Sequence, residues 1–190
     1  MSIFSLTGSH CTGKSILVEK FKENPNFVCF DSVTRSTISA QERRIDGIND
    51  LEETQNMMAD RVIENMDRIL KLNAMDNSKV YLMDRSVFDF LGYTKCFMDR
   101  GLLSTQAYVD IWNKCKNVWD NIDFFFFLRP DFPIVDDGVR SIDEDLRQKV
   151  DQEIYRLLKE TGVAFAQLAG SVEDRIDMVN QQVKYYAVNR

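Results

Sequence analysis

A chain of 190 residues, 44% apolar and 28% charged, is long enough for one domain with a substantial core. Its net charge of −6 excludes a general binder of polymeric nucleic acid, so any phosphate recognition has to be local. Cys11, Cys29, Cys96 and Cys115 share no C-x-x-C spacing, which excludes a zinc knuckle or disulfide frame and suits reduced thiols in a cytoplasmic protein.

The first element is an apolar strand, Ile3 to Thr7, and it runs directly into Gly8-Ser9-His10-Cys11-Thr12-Gly13-Lys14-Ser15. This matches G-x-x-x-x-G-K-[ST], the phosphate-binding loop, with the required strand before it and a helical pattern (Ile16, Leu17, Phe21) after it. Two glycines let the backbone point successive N–H groups inward, and the new helix adds its positive end. Lys14 is placed for the β- and γ-phosphates, and the Ser15 hydroxyl for Mg²⁺. His10, the sole histidine, occupies a variable position of the loop and is not needed for this chemistry.

A second strand, Phe27 to Phe30, delivers Asp31, with Arg35 four residues on; residues 35–48 are polar and irregular. A long helix is expected over about 50–73 and offers a face on which a homodimer could pack. The third strand, Val80 to Met83, delivers Asp84, followed by Arg85 and helices over about 86–99 and 104–118. The run Phe124 to Leu128 is apolar throughout, as a central parallel strand covered on both faces should be. A turn-rich acidic stretch, a charged helix over about 143–161, a short fifth strand at 163–166 and a last helix over about 172–187 complete the chain. Alternating strands and helices mean a three-layer α/β domain with a mostly parallel sheet. We expect a single domain over 1–190, with a lid at about 130–148. No apolar run approaches the roughly 18 residues of a membrane span, and no leader precedes the first strand.

Ligands of such sheets bind at the carboxyl ends of the strands, where the phosphate loop, Asp31 and Asp84 converge. Asp84 reads as the carboxylate completing a Mg²⁺ site or as a helix N-cap. Asp31 reads as a turn former or as the group that accepts a proton from an acceptor hydroxyl. Arg85 is placed to hold an acceptor together with the transferring phosphoryl group. Arg140 and Arg147 read either as solvated charge pairs or as lid arginines that close over phosphates. Phe88 is a core aromatic or a ring that stacks on substrate.

Together these residues resemble the P-loop nucleoside and nucleotide kinases. Asp31-Ser32-Val33-Thr34-Arg35 resembles the acid-x-x-x-Arg element of deoxyribonucleoside kinases, in which the acid is the longer Glu and serves as base. Asp84-Arg85-Ser86 resembles the Glu/Asp-Arg-Ser element of those enzymes and of thymidylate kinases. Ile134 to Ser141, and Gly170-Ser171 through Arg175, are similar to the lid and adenine-side segments of the ribosylnicotinamide-kinase domain of the bacterial NAD-biosynthesis regulator and related small AAA-like domains. The regulator's kinase domain has no arginine at the position of Arg85. The resemblance implies a five-stranded sheet in 2-3-1-4-5 order with a small lid, and a donor site completed by Arg175. It also implies ATP (or GTP) with Mg²⁺, and a nucleoside-like acceptor.

The resulting expectation is a kinase with Lys14, Asp31, Arg85, Arg140 and Arg147 in catalysis. The loop Gly8–Ser15 and Arg175 would hold the donor, Ser15 and Asp84 the metal, and Asp31, Arg35, Arg85 and Phe88 the acceptor. Two other readings stay open. In a nucleoside monophosphate kinase Arg35, with Arg43 and Arg44 behind it, would bind the acceptor phosphate. A regulatory module would bind nucleotide without turnover.

Overall fold

The computed structural model describes residues 2–33, 50–134 and 142–188. Five strands, β1 (Ser2–Thr7), β2 (Phe27–Phe30), β3 (Val80–Asp84), β4 (Phe124–Leu128) and β5 (Phe165–Leu168), form one sheet in the order β2-β3-β1-β4-β5. All four pairings are parallel. Parallel neighbours need crossovers, and the described helices supply them, except the last, which follows β5. These are α1 (Lys14–Lys22), α2 (Leu51–Met75), α3 (Val87–Asp99), α4 (Thr105–Cys115), α5 (Glu144–Thr161) and α6 (Val172–Val188).

The side-chain alternation of β4 divides the core. Phe124 and Phe126 pack with Phe4, Leu6, Leu17 and Val18 on the α1/α6 face. Phe125 and Phe127 pack with Ile3, Met83, Phe88 and Ile154 on the α2–α5 face. Successive residues of a strand point to opposite faces, so four consecutive phenylalanines serve two cores. Burying each contributes about 2 kcal/mol. On the larger face α3 and α5 approach closely at Gly92, where a Cβ would meet Ile154 Cγ1 at 2.9 Å.

Helix starts are set by side chains that accept orphan amides: Asp50 from Glu53, Ser86 from Phe88, Ser104 from Ala107 and Asp143 from Leu146. Two expected boundaries move. α4 ends at Cys115 and gives way to a 3₁₀ turn over Trp119–Asn121. β5 begins two residues late because Gly162, at φ 71°, ends α5 and a connection follows, in which Ala164 O accepts from Phe125 N. Residues 35–48 and the lid's Val135 to Ser141 lie outside the described residues. Among the described residues no helix is long and apolar enough to cross a membrane.

Candidate nucleotide site

The phosphate loop is fixed from behind. Gly8 adopts φ 146°, and a Cβ there would lie 2.3 Å from Leu128 O of β4, so only glycine fits. Gly13, at φ 90°, takes the N-cap position of α1, whose first turn holds no acidic residue to offset its positive end. Lys14 is only 4% exposed, and its ammonium donates to Gly8 O (2.7 Å), Ser9 O (2.6 Å) and Thr12 Oγ1 (2.9 Å). Asp89 balances that buried charge from 3.9 Å.

Ser15 and Asp84 meet across β1 and β3: the Ser15 hydroxyl donates to Asp84 Oδ2 at 2.9 Å. The other oxygen, Asp84 Oδ1, is buried with no hydrogen-bond partner. A buried carboxylate oxygen left unsatisfied is costly, and beside a hydroxyl it suits a hard cation. Among the described residues no group of three or more His, Cys, Asp or Glu could hold a metal. One carboxylate and one hydroxyl suit Mg²⁺ held jointly with phosphate and water, not a metal caged by protein. The helix-cap reading of Asp84 is excluded, since Ser86 caps α3 and forms a capping box with Asp89.

Arg85 follows in the left-handed region, at φ 81°. A non-glycine residue there is strained by about 1–2 kcal/mol, and it persists because its amide donates to Leu6 O and its guanidinium is held by α3. Burial works against that charge, but Asp89, Tyr93 and Asp84 outweigh it and keep the guanidinium protonated. Asp89, 1% exposed, accepts from Thr7 Oγ1 (2.6 Å), Gly8 N (3.1 Å), Ser86 N (2.9 Å) and Arg85 Nη1 (3.4 Å). Sequence reading passes over Asp89. Its only signal is Ser86-x-x-Asp89, which looks like helix capping and nothing more.

Two cavities open from this junction. One, of about 600 Å³, is lined by Cys11 to Leu17, Arg85, Phe132, Pro133, Gly170 to Val172 and Arg175. Arg175, 3% exposed, donates to Thr12 O (3.0 Å) and Asp131 Oδ2 (3.2 Å) and stacks on the Phe132 ring at 5.3 Å. Phe132, half exposed on this wall, is a second residue that sequence reading passes over, since it lies in an acidic, proline-flanked stretch. The other cavity is a cleft of about 20 Å³ between the ends of β2 and β3 and α2, lined by Asp31, Asn65, Asp84 and Arg85 among apolar side chains. Arg85 lines both.

The remaining expected residues divide. Asp31 lines the small cleft, but its carboxylate is 74% exposed and accepts from Lys22 at 2.7 Å. Asp31 and Glu19 hold the Lys22 ammonium above its ordinary pKa. Arg147 does not line the large cavity. It is 4% exposed and donates to Phe132 O (2.6 Å) and Glu144, which fixes the segment after β4. Phe88 is fully buried, stacked on Trp119 and tilted against Phe125, so its ring is a core ring and not a surface for substrate. His10 and Cys11 stand within the loop, and none of the four cysteines is in a disulfide. Burial pushes the Cys29 and Cys96 thiols up to about 11 and Cys115 to about 12, so these three stay protonated at neutral pH. Arg35, Arg43, Arg44 and Arg140 lie outside the described residues.

Comparison with known proteins places this geometry. A family model described as an AAA domain matches residues 3–175, and the chain belongs to that family. No curated protein matches it by sequence. Among solved structures, deoxyadenosine kinase from M. mycoides with bound dATP superposes with a TM-score of 0.68 at 15% identity, over 97% of this chain and 100% of that one. The NadR protein in complex with NR gives 0.79 at 18% identity over 100% of this chain, which spans 52% of that one. Thymidylate kinase from Candida albicans gives 0.72 at 12% identity, over 98% and 92%. At such identities the likeness is one of fold, and the fold is that of P-loop nucleoside and nucleotide kinases.

Proposed function

We propose that this member of the AAA-domain family is a kinase that uses ATP and Mg²⁺ to phosphorylate a hydroxyl of a nucleoside-like small molecule. One observation carries the reading: a nucleotide-sized cavity on the phosphate loop and a second cleft meet at a single cation, Arg85. A pure nucleotide binder needs the first cavity only. Among the structural relatives, deoxyadenosine kinase has a nucleoside acceptor, in line with this reading, whereas thymidylate kinase has a nucleoside monophosphate.

The donor triphosphate lies along the loop amides, and Lys14 exchanges Gly8 O and Ser9 O for phosphate oxygens. Ser15 and Asp84 are the residues that would hold Mg²⁺, whose charge offsets that of the polyphosphate. Phe132 and Arg175 line the cavity beside Gly13, where the donor base fits. Arg85 faces the transferring group and the acceptor together. Phosphoryl transfer depends chiefly on positioning and charge neutralisation, and this set supplies both. Asp31 stands at the rim of the acceptor cleft as the proton acceptor once it turns from Lys22.

The present pairing of Asp31 with Lys22 favours a second reading, a nucleoside monophosphate kinase, whose acceptor needs no base. An ADP-release assay over nucleosides, their monophosphates and nicotinamide riboside, with an acceptor-free control, tests both. The first reading expects release dependent on a nucleoside, and the second release dependent on a monophosphate. Release without acceptor, or binding without release, would sink the kinase assignment.

A further inference from the structure

One turn of α3 carries two residues with a common pair of partners. Asp89 Oδ1 accepts from Gly8 N at 3.1 Å and from Arg85 Nη1 at 3.4 Å. The Tyr93 hydroxyl accepts from His10 N at 3.2 Å, and it stands near enough to Arg85 to help Asp89 keep the guanidinium charged. Residues four apart lie on the same face of a helix, so both side chains reach the loop from one side. We propose that Asp89 and Tyr93 are positioning residues, a bracket that holds Arg85 in register with the phosphate loop. This rests on the role given to Arg85 above.

The bracket is rigid by its own bonding. Asp89 Oδ2 is taken up by Thr7 Oγ1 at 2.6 Å and Ser86 N at 2.9 Å, which ties the carboxylate to the ends of β1 and β3. A tyrosine hydroxyl has one proton and two lone pairs. One lone pair receives His10 N–H, and the hydroxyl is also hydrogen-bonded to His10 Nδ1, 2.5 Å away. The sole histidine thus acquires a place in the site: it fixes the hydroxyl rotor that faces Arg85. The left-handed backbone at Arg85 makes this support necessary, because a strained residue holds its conformation only where its surroundings over-determine it. Arg85 lines both cavities, so a small displacement there misaligns donor and acceptor together.

The test is a double-mutant cycle between Tyr93→Phe and Arg85→Ala, with Asp89→Asn as a second arm. Tyr93→Phe removes only the hydroxyl and keeps the ring on Phe97. With the best acceptor, kcat is expected to fall about 10-fold, short of the roughly 10²-fold of a 1 Å misplacement, while KM for ATP rises less, by about threefold, because Arg85 also lines the donor cavity. In the Arg85→Ala background the same change should cost nothing further. Equal losses in both backgrounds, or an unchanged kcat, would overturn the bracket. Should Asp89→Asn fail to fold, the Tyr93 arm decides by itself. If the wild-type protein phosphorylates no acceptor, the kinase reading fails on its own. The cycle is then read on affinity for a non-hydrolysable ATP analogue with Mg²⁺, since Arg85 also lines the donor cavity. A loss confined to the Arg85-bearing background supports the bracket, and equal losses or no loss overturn it.

Discussion

The two cavities that meet at Arg85 are built by different means. The larger is shaped by backbone: Gly8 against Leu128 O, the Gly13 turn and the carbonyls that hold Lys14 all lie within or behind one short loop. Its outer wall is also pinned, by Arg175 on Thr12 O and Asp131 and by Arg147 on Phe132 O. The smaller is a seam of side chains from β2, α2 and β3, of about 20 Å³, with its one rim carboxylate turned to Lys22. A site made of local backbone is present before its ligand arrives. A site assembled from three separate elements has to open to receive one, and part of its binding energy goes into that opening.

The largest effect expected is on the preformed side. Lys14→Ala removes the cation proposed to bind the donor phosphates, and turnover should drop by about 10²–10³-fold or more. The melting temperature without ligand should fall by only a few degrees, because Asp89 keeps its other donors, Arg85 among them, and the lost ammonium serves the loop and no hydrophobic core. A collapse of stability with full activity per folded molecule would show Lys14 to be structural and would break the contrast between the two halves.

Next comes the acceptor side. Asp31→Asn keeps size and removes basicity, so with a hydroxyl acceptor kcat should fall about 10²-fold while ATP affinity holds. With a monophosphate acceptor the change would reach acceptor KM alone. An unchanged kcat on a nucleoside would strip Asp31 of its place as base.

Phe132→Ala should act more weakly and on the donor half only. Losing one stacking ring should raise KM for ATP about 10-fold with kcat nearly unchanged, because a base contact is alike in ground and transition states. A fall in kcat instead would mean that Phe132 serves closure or alignment and not base binding.

What the sequence discloses follows the same divide. The phosphate loop, Ser15 and Asp84 are legible because each depends on a few consecutive residues with an unambiguous φ or hydrogen-bond requirement. The five strands are legible from apolar runs, Phe124 to Leu128 above all, whereas their order comes from the resemblance to P-loop kinases and is the one observed. Phe88 is not, because a ring at the start of α3 faces core or cleft according to how α3 seats on β4, and that is settled by packing against Phe125. Asp89 and Tyr93 look like a capping residue and a core aromatic until α3 is docked beneath the loop. The pairing of Asp31 with Lys22 needs α1 and β2 to be neighbours, a fact of tertiary structure. Arg147 illustrates a different miss: it lies beside the site as expected, yet it acts on backbone next to the cavity and does not line it.

The smallest effect is also the one that separates the two acceptor readings by sign. Lys22 is bonded to Asp31 and Glu19 at the surface, at 2.7 Å each. Exposed pairs of this kind add little to stability, so Lys22→Ala should leave the melting temperature almost unchanged. Its effect lies in what it releases. With Lys22 gone, Asp31 loses its partner and is free to turn into the cleft it already lines. If Asp31 takes a proton from an acceptor hydroxyl, kcat should hold or rise, by about threefold at most, and most clearly at low ionic strength, where the lost pair was strongest. If the acceptor is a monophosphate, a cation near the cleft has been removed and a bare carboxylate left behind. Acceptor KM should then rise by a similar factor with kcat unmoved. Measuring kcat and acceptor KM for Lys22→Ala at two salt concentrations therefore reads the direction of the change. A rise in kcat on a nucleoside identifies Asp31 as a base held in reserve, and a salt-sensitive rise in KM on a monophosphate identifies Lys22 as part of an anion site.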